Sequence, residues 1–217
     1  MKAEITIAEN LNELTLTQYS EFIKIEEPTN IDILSMFLDI SKEDVYRIKE
    51  KDIESLTSGL NDLFKKDHVF IDRFKLNGVT YGFIPKLDDI TYGENKDLTA
   101  YLNWDSMHKA MAVMYRPIKQ SQGGKYIIED YEGSSKYSEE MREAPLGVVF
   151  GAMVFFWSLT NELLTAIPNY LERELKTQQT QSQVSEENGE VIKRYTASLK
   201  ETLEDLTKLQ DYRYTNV

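Results

Sequence analysis

A chain of 217 residues with 37 acidic against 25 basic side chains carries a formal net charge of −12. That excludes a broad phosphate-gripping face, which needs clustered lysine and arginine, and disfavours adhesion to anionic membranes. With no cysteine and two histidines, His68 and His108, thiolate chemistry, disulfide frameworks and histidine-rich metal centres are excluded too.

The opening MKAEITIAEN lacks the basic, apolar and small-residue regions of a secretory signal. Lys2 to Glu9 alternates polar and apolar residues, the pattern of a strand. Thr15 or Thr17 is placed to cap a helix running to about Glu26, with Leu16, Tyr19, Phe22 and Ile23 inward, before Pro28. Residues 31–40 form a second short helix. Ser41 with Asp44 opens a third through Val45 and Ile48. A fourth, about 52–65, sets Ile53, Leu56, Leu60, Leu63 and Phe64 on one stripe.

Residues 69–85 read as a hairpin turning at Asn77-Gly78. Asp88 to Glu94 reads as a loop leading to a helix near Leu98–Leu102. A helix over Trp104–Tyr115, capped by Asp105 or Asn103, turns Met107, Ala110, Met111 and Met114 inward and ends at Pro117. Residues 125–131 are a short strand available to the hairpin, and a turn of helix is expected at 136–142. Ala144 to Ile167 is the most apolar stretch. Its strictly apolar part, Ala144–Trp157, falls short of the about 20 residues a membrane span needs. A buried central helix is the better reading, with Gly147 and Gly151 on one stripe where a neighbour approaches closely. Pro168 then kinks or restarts it.

The expected fold is therefore α+β and predominantly α-helical: a central apolar helix packed by short amphipathic helices, with a small antiparallel sheet. Residues 1–175 form this domain, 176–190 a polar linker, and 191–217 a C-terminal amphipathic helix and tail. Ile192, Tyr195, Leu199, Leu203, Leu206 and Leu209 recur at helical spacing and are the candidate interaction residues, docking on another subunit or back on the core.

No catalytic, cofactor or metal site emerges from the residues. Asp88 and Asp89, with Glu94 close by, could offer carboxylates to a divalent metal or to acid–base work, but they lack calcium-ligand spacing and a loop cap or turn is the better reading. Asp105, Ser106 and His108 are too nearly contiguous for a triad assembled from separate elements, which leaves His108 a packing or hydrogen-bonding residue. His68 is expected at the surface. Arg116 suggests a buried pairing residue without a nameable partner. Neither phosphate-loop glycine pattern occurs.

From Tyr81 to Ile118, the run Gly82–Pro85, Leu87–Asp89, Tyr92–Glu94, Trp104, His108–Met111 and Tyr115–Pro117 resembles a family of structural and assembly proteins of crAss-like and related tailed phages of Bacteroidetes. The likeness extends to Leu14–Ile25, Tyr126–Tyr131 and Pro145–Leu164 but not to the linker and last helix. It implies a non-enzymatic virion protein, assembled in the host cytoplasm and standing at the portal vertex or neck. Its partners would be portal, capsid or neck proteins and copies of itself, with no membrane, cofactor or direct nucleic-acid contact. The alternative it implies is a tail assembly chaperone absent from the mature particle.

Overall fold

Three of the helices begin on the same local chemistry. Thr15, Thr29 and Thr91 each accept a backbone N–H three residues on, from Gln18, Asp32 and Glu94, whose side chains return a bond to the threonine N–H. Each such capping box satisfies two of the orphan donors of a helix start. In the computed structural model, which describes residues 7–156 and 158, these caps open α1 (Leu16–Phe22), α2 (Asn30–Phe37) and α5 (Tyr92–Tyr101). Ser41 caps the four-residue α3 (Lys42–Val45), and α4 (Glu50–Phe64) follows with Thr57, Leu60, Leu63 and Phe64 buried. α6 spans Met107–Met114 and α7 covers residues 146–156.

The sheet is antiparallel with strand order β1-β2-β3-β4, from β1 (Arg73–Leu76), β2 (Val79–Phe83), β3 (Tyr115–Gln122) and β4 (Lys125–Ile128). Its first turn is the predicted Asn77-Gly78, at φ 49° and 82°, the left-handed pair a two-residue turn of this hand requires. Gly123-Gly124, at φ 57° and 81°, repeats the device between β3 and β4. β3 corrects the expectation that the α6 segment runs through Tyr115 and stops at Pro117: the chain passes from helix to strand at Tyr115 with no intervening turn. β3 pairs with β2 over Tyr115–Pro117 and with β4 over Ile118–Gln122, with a register irregularity between Ile118 and Gln120. At the hand-over, Glu129 N–H donates to the Pro117 carbonyl at 2.9 Å. The reciprocal bond is the one a proline cannot make, which is why the β4 ladder ends there.

The starts of α1 and α7 are stitched together by Leu16 N–H to the Ala144 carbonyl (3.0 Å) and Leu146 N–H to the Leu14 carbonyl (2.8 Å), around a Thr15–Pro145 bridge. Leu146, Val148, Val149 and Ala152 of α7 are at most 1 % exposed. Phe150 meets Tyr19, Phe64 and Trp104 edge-on at 5.1, 6.2 and 5.8 Å. Phe155 stacks on Phe70 at 4.5 Å and reaches Phe83 of β2. α7 is thus the apolar element on which the helical cluster and the sheet meet, and α6 shares the centre, with Ala110 to Met114 at most 1 % exposed. The glycine stripe is used as expected: a Cβ on Gly147 would lie 2.4 Å from Asn12 Oδ1, and one on Gly151 would lie 2.3 Å from the Val69 carbonyl oxygen.

Several boundaries move. Ile7 to Glu9, the described end of the expected first strand, is irregular, and α1 stops at Phe22, before Pro28. α5 starts at Tyr92 within the expected loop, Trp104 sits in the turn before α6, and only Lys125–Ile128 of 125–131 is strand. The rest of the apolar helix beyond 158, the linker 176–190 and the segment 191–217 lie outside the described residues.

Candidate functional site

A buried polar cluster is built where β3 leaves α6. Arg116, the second residue of β3, and Glu94, in the first turn of α5, are 7 % and 3 % exposed. Arg116 Nη2 donates to Glu94 Oε1 at 2.6 Å. The other oxygen, Oε2, accepts from Thr91 N–H at 2.6 Å and Thr91 Oγ1 at 2.7 Å, so one carboxylate both caps α5 and neutralises the guanidinium. Burial works against the charge on Glu94, but the Thr91 bonds and Arg116 outweigh it and hold the carboxyl below its ordinary range. Arg116 Nε and Nη1 are buried without an acceptor among the described residues. The ring of Tyr131 covers the guanidinium at 5.4 Å, and the Tyr131 hydroxyl donates to Asp97. Arg116 lies in the wall of a groove of about 810 Å³ between β4 with its following residues and the segment from Ile84 to Glu94.

A second polar corner joins α6 to the turn before α7. His108, 6 % exposed, meets Arg142 Nη2 through Nε2 at 3.3 Å. Burial and then the Arg142 charge push its imidazole below the ordinary value, so the neutral ring accepts from arginine. The adjoining cavity of about 30 Å³ has room for little more than water, and Trp104 Nε1 is buried without a partner among the described residues.

The structure separates the other sequence candidates. Ser106 Oγ donates to Asn103 Oδ1 at 2.8 Å and to the Tyr101 carbonyl at 3.2 Å, while His108 turns to Arg142. Asn103 Oδ1 also accepts from Ser106 N–H at 3.1 Å within the turn before α6, but the cap expected of Asn103 or Asp105 is not made: the N-cap of α6 is Ser106, with no side-chain cap bond. Asp89 is exposed, and the Asp88 side chain lies outside what the structure describes. His68 is half-buried, 4.9 Å from the Phe150 ring, rather than at the surface. Ile192, Tyr195, Leu199, Leu203, Leu206 and Leu209 lie outside the described residues. Among the described residues no three His, Asp or Glu are grouped to hold a metal, and no helix is long and apolar enough to cross a membrane. Glu94, absent from the sequence candidates as a charge partner, was signalled by Thr91-x-x-Glu94, which announces a capping box. No family model, curated protein or solved structure matches this chain.

Proposed function

We propose that this chain is a non-enzymatic structural protein of a tailed-phage virion, at the portal vertex or neck, acting by packing against other virion proteins and copies of itself. One observation supports it above the rest: several polar and special residues of the phage-like run serve the framework. Gly82 admits the Tyr126 ring, since a Cβ there would lie 2.5 Å from Tyr126 Cε2. Glu94 and Arg116 tie α5 to β3, the Tyr115 hydroxyl donates to the Ile71 carbonyl at 2.7 Å, and His108 braces Arg142. Residues so engaged fix a shape, and a shape is what an assembly protein supplies.

Mass spectrometry of purified, DNA-filled particles, quantified against the major capsid protein, tests this. A ring around one vertex gives on the order of a dozen copies or a few dozen. Absence from particles with abundance in the infected-cell lysate overturns it in favour of a tail assembly chaperone, the reading favoured by the acidic balance and the many short amphipathic helices.

A further inference from the structure

The groove beside β4 differs from a packing defect in two ways. It is lined by every residue from Gly124 to Tyr131, odd and even alike. Alternate strand residues point to opposite faces, so the groove runs along the backbone edge of β4. Among the described residues β4 is the last strand of the sheet, and an edge strand presents unpaired N–H and C=O groups. The second difference is Arg116, nine-tenths buried in the groove wall with two donors unmatched.

Several charges around the groove are already committed. Glu94 serves Arg116 and Thr91 and Glu129 binds Lys136, while Asp130, 92 % exposed, makes only a surface pair with Lys119. Lys86 and Lys125 are exposed and form no ion pair among the described residues. Against an overall charge of −12, the groups left available here are two lysines and the two Arg116 donors, opposed by the exposed Asp89 and Asp130.

We propose that this groove takes an extended, carboxylate-bearing segment of a partner protein. The segment adds as a strand to the edge of β4 and sets one acidic side chain against Nε and Nη1 of Arg116, the Tyr131 ring turning aside as it enters. Main-chain pairing supplies affinity in such additions, and the buried guanidinium selects the side chain. The site does not depend on whether the protein stays in the particle.

The test is a titration of the full-length ¹⁵N-labelled chain, following the Arg116 Nε–H resonance (assigned by its loss in Arg116→Lys) and the amides of 124–131. The probes are a capped peptide of alternating threonine and glutamate, about six residues long, its glutamine counterpart, and single-stranded oligothymidylate. Expected are saturable shifts with the glutamate peptide and binding at least about tenfold weaker for the glutamine peptide. Lys125→Glu, an exposed and unpaired position that leaves the fold intact, weakens the glutamate peptide by at least about tenfold. No saturable shift at millimolar peptide, equal response to both peptides, indifference to Lys125→Glu, or a stronger response to the oligonucleotide each overturns the proposal.

Discussion

Arg116→Met is the change whose consequence follows most directly from the geometry. It removes the cation that Glu94 faces at 2.6 Å while leaving the carboxylate 3 % exposed. A buried charge stripped of its partner costs about 3–5 kcal/mol. At about 2–4 °C per kcal/mol for a chain of this size, the melting temperature falls by about 6–20 °C. Glu94→Gln makes the opposite cut: glutamine still completes the capping box at Thr91, so the loss, again about 3–5 kcal/mol, reports the orphaned Arg116 rather than a frayed α5. The double variant Glu94→Gln/Arg116→Met removes both charges together with the two donors that Arg116 leaves unmatched, and it is expected to be more stable than either single one. Urea unfolding of the four proteins gives the coupling energy directly. If the two losses simply add, or if Arg116→Met costs less than about 1 kcal/mol, the pair is not a buried unit and the account of this site is wrong.

Gly151→Ala drives a Cβ against the Val69 backbone and should cost about 1–3 kcal/mol. Gly59→Ala, exposed in α4 with nothing within 4 Å, should gain about 0.5–1 kcal/mol; thermal melts that rank the two alike contradict the packing described. His68 and His108 both titrate below 6.5 in the fold, through burial and, for His108, Arg142 as well. The folded state therefore binds fewer protons than the unfolded one, and stability is full above about 6.5 and declines as pH drops below it. Glu94, lowered from 4.5, gives up its contribution only as pH falls below that value. His108→Asn should flatten the upper part of the urea-midpoint profile between about pH 7 and pH 5, and an unchanged slope argues against it. Truncation after Lys176 is expected to leave the domain folded while abolishing self-association or partner capture, checked by light scattering and melting; an unfolded product assigns the last segment to the core.

Where the sequence was easiest to read, one local rule decided the outcome. Asn77-Gly78 forms its hairpin because few other pairs accept positive φ at both positions, and the α4 stripe turns inward, with Leu60, Leu63 and Phe64 buried and Ile53 and Leu56 partly so. β3 was illegible for the converse reason. α6 passes into it between Met114 and Tyr115 with no glycine, proline or polar break, and Pro117 argues locally against a strand. Tertiary context decides there: β2 pairs with β3 up to Pro117, and β4 takes over from Ile118. The proline occupies the hand-over, where a missing donor costs least.

The polar site shows the same division. Arg116 was recognisable as a residue in need of a partner, and the box Thr91-x-x-Glu94 was written in the sequence as a helix start. That a single carboxylate does both jobs depends on α5 and the first residues of β3 lying side by side, which neither local pattern encodes. The arrangement also accounts for the two unmatched donors. Glu94 has one oxygen committed to Thr91 and meets Arg116 through Nη2 alone, which leaves Nε and Nη1 unmatched among the described residues. A guanidinium buried for structure alone would be expected to have its remaining donors met by carbonyls. Arg116 instead borders a strand edge left unpaired among the described residues, with two donors spare, which is the physical basis for a partner there.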